Sequence, residues 1–492
     1  MNQLIHNSYW VQKNPLHAKY PILTGTHETE VLVVGAGITG LTMALELAKR
    51  GRRVAVCESS VVGAGTTSGS SGHLDAHPEM GPRKLLDKLG LELAREYVAM
   101  RQRAIERIKA IAGGECDCVP IAAYQYSERM SDERSLRDNM EAAIQIGLRA
   151  SWADIVPIPR AKLGYKIEGM ARIDTALYLQ QLATIAVQQG VEIFENSLVK
   201  LSGDENAKTF QAGEGEVHCE QVVSAAHSNF TPVLHIYAAT PAYQSYVLTA
   251  RVSDAFPDSL FWDSSDPYFY VRRARTDDDR LIMVGGCDHR TGAGDEVAAT
   301  QRLERWVRDR FHVTVVSAQW SAELFEPTDG LPMIGKAFGD NMWVVAGLSG
   351  VGLTQGTAAG TLLADLMAGL AVPLAESFSP ARYGLTQPLH WLREQAASVI
   401  DVSERILPAT AVNLSALLPR QGAVGTVDGK HVAVCRDHSG CLHQSSPICS
   451  HMGGVVHWNE AEQTWDCPVH GGRFAASGER IYGPPRDPLG SA

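Results

Sequence analysis

Residues 30–58 read EVLVVGAGITGLTMALELAKRGRRVAVCE. An apolar run, a glycine turn, an amphipathic stretch and a second apolar run closed by an acid predict strand, turn, helix and strand, one βαβ unit. The turn carries Gly35, Gly37 and Gly40 in GxGxxG spacing, with Ala36, Ile38 and Thr39 between them. Gly35 permits the turn, Gly37 lets a pyrophosphate reach the helix N-terminus, and Gly40 lets helix and strand pack closely. Glu58, about twenty residues further on, would accept hydrogen bonds from ribose hydroxyls, with Ser59 beside it. The motif does not choose between FAD and NAD.

Outward from this unit, GAGTTSGSSGH at 63–73 offers hydroxyls and glycines to a phosphate-bearing arm through Gly65, Thr66, Thr67, Ser71, Gly72 and His73. Helical spacing of Leu85, Leu89, Leu93, Ala94 and Tyr97 predicts a helix over 84–112, and DTALYLQQLATIAVQQG predicts another before a strand at VEIFE. VPIAAYQYSE alternates as a strand, and 217–226 reads as one strand entering a loop. Residues 240–290 are strand-rich, with SYVLTARV, YFYVRR and LIMVGG set between turn residues. WVVAGLSGVGLTQGTAAGTLLADLMAG at 343–369 gives strand, glycine turn and long helix again.

A chain of 492 residues exceeds one ordinary core. It is 45% hydrophobic and 20% charged, a globular composition, and its net charge of -11 disfavours nucleic acid or an anionic membrane as partner. No stretch reaches the roughly 18 apolar residues of a membrane span and the start lacks a signal pattern, so the chain reads as cytoplasmic. Its nine cysteines are scattered and do not form a disulfide framework. Cys116 and Cys118 read as a loop, not a redox pair.

Near the other end, ICSHMGGVVHWNEAEQTWDCPVHGGRF spaces Cys449, His451, Cys467 and His470 as Cys-x-His-x15-Cys-x2-His. Thiolate and imidazole ligands suit either a tetrahedral zinc or a [2Fe-2S] cluster with two histidine ligands. His438 and His443 frame a hairpin tip and read as surface residues.

Two resemblances narrow these choices. Residues 28–375 resemble the D-amino-acid oxidase, glycine oxidase and sarcosine oxidase superfamily, including ARIDTALYLQQLATIAVQQGVEIFENSLVKL at 171–201. This implies FAD, an adenine contact at Val199, a cofactor position at Ala225, and a flavin-binding run through Gly347, Ser349, Gly350, Val351, Gly352, Leu353 and Thr354. Residues 411–490 resemble Rieske domains, which implies one iron on Cys449 and Cys467 and the other on His451 and His470. Gly454 and Val469 stand where respiratory Rieske proteins carry a disulfide, and Gly472 and Phe474 where they carry hydroxyls. Fewer donors imply a potential toward the low end of the Rieske range, about -150 mV.

The expected architecture is therefore α/β: an FAD-binding Rossmann-like domain with a strand-rich substrate domain over 1–382, a helical connector at 383–405, and an all-β Rieske domain over 406–492. The FAD-binding parts fall at about 28–80, 170–232 and 325–375, and the substrate parts at about 81–169 and 233–324. The layout, with DPYFYVRR and MVGGCDHRTG, resembles bacterial flavoproteins carrying a C-terminal Rieske domain. The implied activity is dehydrogenation of an amine or amino acid, with electrons leaving singly through the cluster to a ferredoxin or cytochrome. A homo-oligomer is compatible with this layout.

Tyr270 and Arg272 lie on one strand, where Arg272 reads either as a carboxylate clamp or as a surface-paired arginine. His73 is expected near the flavin ring, and His289 either in the wall of the site or capping a turn. Two alternatives stay open: a flavin monooxygenase or reductase fed through the cluster, and a non-enzymatic redox carrier or sensor. A Rieske oxygenase would need a mononuclear iron motif that the sequence lacks outside the Rieske segment.

Overall fold

The computed structural model describes residues 7–200, 204, 206–228, 234–383 and 410–491. The opening unit forms as its pattern requires: strand Val31–Val34, helix Ile38–Lys49, strand Val54–Cys57. Both strands are buried at every position, as expected of parallel strands covered on two faces. They sit at the centre of a six-stranded sheet ordered Met333–Phe338, Met342–Ala346, Gln221–Ser224, Val31–Val34, Val54–Cys57, Glu192–Phe194.

Helix Gly352–Met367 lies against helix Ile38–Lys49. Two glycines allow the close approach, since a Cβ on Gly356 would stand 2.6 Å from Thr39 Oγ1 and one on Gly360 2.8 Å from the Thr39 carbonyl. Helix Thr175–Gln188 starts at Asp174, whose carboxylate accepts from the Ala176 and Leu177 amides. The helix expected at 84–112 runs from Pro82 to Ala112, kinked at Gly90.

The strand-rich part forms a nine-stranded sheet ordered Val313–Phe325, Ala242–Val252, Leu281–Arg290, Phe269–Arg273, Ser259–Asp263, Val119–Ser127, Leu163–Arg172, His73–Leu74, with Ala150–Trp152 paired off this path. Helices Glu133–Gln145 and Glu296–Arg308, which the sequence reading passed over, also form. The stretch 217–226 is two strands, not one. Glu214–His218 pairs in a three-stranded sheet and Gln221–Ser224 in the six-stranded one, because the Glu220 and Gln221 amides both turn to the Glu30 carbonyl.

After Tyr383 the expected connector lies outside the described residues. The C-terminal part is all β: a three-stranded sheet (Gly422–Val427, Lys430–Arg436, Leu442–Ser445) and a four-stranded one (His457–Asn459, Thr464–Asp466, Arg473–Ala475, Arg480–Tyr482). Among the described residues no helix is long and apolar enough to cross a membrane.

Candidate flavin and cluster site

A continuous cavity of about 650 Å³ runs from the first glycine turn to the nine-stranded sheet and the C-terminal domain. At its nucleotide end the wall is mostly backbone. Gly35, Ala36, Gly37, Ile38 and Thr39 line it, and helix Ile38–Lys49 starts there at Gly37, which has no side chain to cap it, with the Ile38 amide turned to Thr67 Oγ1. Gly35 adopts φ 105°, and a Cβ on it would stand 2.7 Å from the Ala225 carbonyl, so only glycine fits the turn. A Cβ on Gly40 would meet the Gly35 carbonyl at 2.0 Å, which makes Gly40 the helix-to-strand packing position.

Glu58 accepts from the Ala36 amide (2.9 Å) and the Ser60 amide (3.0 Å), holding the acid beside the turn. Ser59, Gly65, Thr66, Thr67, Ser71, Val199 and Ala225 also border the cavity. So do Gly347, Ser349, Gly350, Gly352 and Leu353 from the late glycine run. Gly72, Val351 and Thr354 do not. Thr354 is buried in its helix, and Gly72 takes φ 77° because a Cβ there would strike the Ile173 carbonyl.

The far end of the cavity is walled by Ser245, Val247 and Tyr270 from the nine-stranded sheet and by Tyr268 just before strand Phe269–Arg273. Tyr270 lies across Gly285 on the neighbouring strand, where a Cβ would overlap its ring. His73 packs edge-on against Tyr270 (5.1 Å between centroids) and its Nδ1 bonds Ser71 Oγ at 2.9 Å. Burial, then the charge of Arg272, holds the His73 imidazole well below its ordinary pKa and therefore neutral. It stands behind the wall, not in it.

Two expectations for this end need correction. Arg272 does not clamp a carboxylate: its guanidinium donates to the Ser71, Arg273, Ala274 and Ile173 carbonyls and is fully buried. His289 does not line the cavity, because its Nε2 bonds Tyr246 Oη and its Nδ1 the Arg290 carbonyl. A buried guanidinium bonded to four carbonyls organises the loop at 71–72 and does not line the cavity.

The C-terminal ligand residues meet on two loops with matching backbone bonds. The Cys449 amide donates to the Gly454 carbonyl at 2.8 Å and the Cys467 amide to the Gly472 carbonyl at 2.7 Å. Gly453 and Gly471 donate back to Cys449 and Cys467 at 3.1 and 3.0 Å. This repeat brings the two thiols together and sets the His451 and His470 rings 5.1 Å apart.

Burial, then Arg486, holds His451 down to about 4, and burial with His451 holds His470 down to about 3, so both imidazoles are in the neutral form that binds metal. His470 Nδ1 is buried without a hydrogen-bond partner. Two cysteines, two neutral histidines and an orphaned ring nitrogen fit a [2Fe-2S] cluster of Rieske type. Gly454 and Val469 face each other directly, since a Cβ on Gly454 would lie 2.4 Å from Val469 Cγ2. His443 pairs with Asp437 at 2.9 Å, away from the ligand loops. Cys116 bonds Gln181 and burial pushes its thiol up to about 12, so Cys116 and Cys118 are structural.

The two ligand loops dock on the flavin domain. Tyr237, on the short helix Leu234–Ala239, packs against His451 and His470 with both ring centroids 5.1 Å away, and Tyr237 and His451 both line the cavity. Gly471, at φ 71°, sits so close to Glu323 and Ala242 that a Cβ would stand 2.2 Å from Glu323 Oε1. Glu462 accepts from the Ser321 amide and hydroxyl and pairs with buried Arg473 at 2.6 Å.

Further along, Arg480, Tyr482 and Arg486 complete the cavity wall toward the nucleotide end, where Arg480 senses the charge of Glu58. The sequence reading did not include Tyr237, Glu323, Tyr482, Arg480 or Arg486. Only the cation spacing in RIYGPPR was visible, and nothing in it points toward the flavin domain. Thr66 and Tyr482 pair with each other on the border of the cavity, with Glu323 beside Tyr482, so the wall presents polar groups to a cofactor. Together with the open helix N-terminus and the Glu58 carboxylate, these groups fit FAD.

Comparison with known proteins agrees. Residues 30–366 match the family model "FAD dependent oxidoreductase" and residues 410–492 match "Rieske [2Fe-2S] domain". Bacillus subtilis (strain 168) YhfW, named as a Rieske 2Fe-2S iron-sulfur protein, is 29% identical over 98% of this chain and 96% of its own length. A D-amino acid dehydrogenase of Methylobacterium nodulans is 32% identical over 45% of this chain and 54% of its own. Glycine oxidase from Geobacillus kaustophilus superposes with a TM-score of 0.61 at 19% identity, covering 74% of this chain and all of its own, a likeness of fold. The chain belongs to the FAD dependent oxidoreductase family and carries a C-terminal Rieske [2Fe-2S] domain.

Proposed function

We propose that the chain dehydrogenates an amine or amino acid at its FAD and delivers the electrons one at a time through the Rieske domain to an external one-electron carrier. FAD supplies two-electron acceptance at the cavity, and the cluster is a one-electron site. The observation that carries the reading is the placement of His451 in the wall of the flavin cavity, with Tyr237 packed against both histidine ligands. This chain's own part is positional. The sheet wall of Tyr268 and Tyr270 orients the substrate, and neutral His73 holds Ser71 against the site. His73, Tyr270 and the cavity-lining positions named above are the residues proposed to serve cofactor and substrate.

The test is anaerobic. Amines and amino acids are mixed with the loaded protein while flavin bleaching and the reduced cluster's EPR signal are followed together. Bleaching followed by the cluster signal is expected. If no amine or amino acid bleaches the flavin while a reduced ferredoxin does so through the cluster, the flow runs inward and the proposal fails in favour of a monooxygenase or reductase.

A further inference from the structure

The cavity that opens at the first glycine turn is closed by the other domain. Strand Arg480–Tyr482 and the turn after it bring Arg480, Tyr482, Gly483, Pro485 and Arg486 into its wall. Tyr482 is buried, its hydroxyl paired with Thr66 and its ring 5.8 Å from that of His227, both lining residues of the flavin domain. His227 in turn bonds the Glu323 carbonyl at 2.9 Å, so the face that receives Tyr482 is itself fixed.

The cations of this wall are unevenly shared. Among the described residues the flavin domain places no lysine or arginine in it, whereas the C-terminal domain places two, Arg480 and Arg486. Arg480 Nε donates to the Pro485 carbonyl, and a terminal nitrogen donates to the Gly483 carbonyl at 3.0 Å, so the turn holds the guanidinium head. Glu58, from the nucleotide end, attracts it through space, and Arg486 repels it. Burial holds both guanidiniums below the ordinary arginine range. Two like charges in one half-buried wall favour an anion in the space they line.

The same turn is packed on the cluster loop. A Cβ on Gly483, at φ 94°, would stand 2.7 Å from the Gly471 carbonyl, and one on Gly472 would stand 2.6 Å from Pro485 Cγ. The turn that fixes Arg480 therefore also fixes the loop that carries Cys467 and His470.

We infer that the Rieske domain is part of the FAD site: Arg480 and Arg486 bind the FAD phosphates, and bound FAD in turn fastens the docked domain and its cluster loop to the flavin domain. The amides of the first glycine turn supply neutral donors to a pyrophosphate, and the arginines supply its counter-charge through forks suited to phosphate oxygens. By linkage, the factor by which docking tightens FAD is the factor by which FAD tightens docking. The inference holds for either direction of electron flow and for any substrate.

The experiment uses the full chain with its cluster in place and its flavin removed. Equilibrium dialysis measures FAD affinity at low and high salt in the unmodified protein, in Arg480→Gln and in Arg486→Gln, while the cluster's EPR signal reports whether each C-terminal domain is folded. Each substitution is expected to weaken FAD by roughly tenfold or more, as loss of a charge-assisted contact does, and to reduce the salt dependence of binding. Backbone hydrogen exchange over 467–472 and 480–487 is expected to slow by about tenfold when FAD is added to the unmodified protein.

Unchanged FAD affinity in either variant that retains its cluster overturns the inference. Weaker FAD with an unchanged salt dependence also overturns it, since the arginines would then shape the wall without meeting the phosphates. So does exchange in the two segments that is indifferent to FAD. The exchange comparison and the salt dependence of the unmodified protein need no variant, and they decide the matter where a substitution costs the cluster.

Discussion

At its nucleotide end the cavity is walled by Gly35, Gly37 and the open first turn of helix Ile38–Lys49, all within one short stretch of chain. At its other end the wall is made of side chains of Ser245, Val247, Tyr268 and Tyr270, brought together from two strands and the turn before one of them. The first end answers a phosphate with amides, and it tolerates little change because the backbone itself is the ligand. The second, where the proposed function places the substrate, presents side chains and so can be retuned one residue at a time. The difference predicts that substitutions at the first end cost the cofactor, whereas those at the second change selectivity.

The largest effect belongs to Gly40→Val. A Cβ there would overlap the Gly35 carbonyl at 2.0 Å, so the strand and helix must separate. The expected result is protein that is insoluble or lacks flavin, read from the ratio of flavin to protein absorbance. Normal flavin content in this variant would break the contrast. Asp288→Asn, by comparison, should keep full flavin content.

Between the two ends stands the docked Rieske loop, and Gly471→Ala tests it. A left-handed alanine costs about 1–2 kcal/mol, and the added Cβ presses on Glu323 and Ala242. A bias of that size against docking is a factor of roughly five to thirty. The variant should keep both cofactors while cluster reduction after flavin bleaching slows by about tenfold. Unchanged transfer would mean that the contact at Gly471 is not the electron route.

A smaller effect is expected for Thr67→Val. Thr67 Oγ1 accepts from the Ile38 amide at 3.3 Å and stands 3.4 Å from where a Cβ on Gly37 would lie. Losing one such hydrogen bond costs about 1 kcal/mol, which weakens FAD about fivefold. Equilibrium dialysis of flavin against the variant measures it.

The same contrast explains what could be read from the sequence. Gly35, Gly37, Gly40 and Glu58 announce their end because local spacing is their function, and Cys449, His451, Cys467 and His470 announce the cluster for the same reason. At the reaction end spacing says nothing. Arg272 looks like a clamp in YFYVRR, yet tertiary structure turns it into carbonyls, and Asp288 meets Ser245 only through a bulge. The two glycines in LIMVGGCDHR were the available clue: Gly285 makes room for Tyr270, and Gly286, at φ 138°, for the Tyr268 carbonyl. That Tyr482 and Arg486 close a cavity in the other domain has no local signature at all.

The smallest effect concerns pH. Glu79 ordinarily titrates at 4.5 and is pushed upward in the folded chain, by burial first and then by the charge of Glu326. A carboxyl with a raised folded pKa contributes stability that is complete below 4.5 and is lost as pH rises through the folded value. Asp288, pushed up to about 6 by burial, adds a loss of the same sign at lower pH. The thermal midpoint should therefore carry a downward component between pH 5 and pH 8, the interval these two groups span. Glu79→Gln removes one titrating group, so its midpoint should fall less steeply over that interval than that of the unmodified protein. A steeper slope in Glu79→Gln would mean that Glu79 is ionised throughout and that its pKa is not raised by the fold.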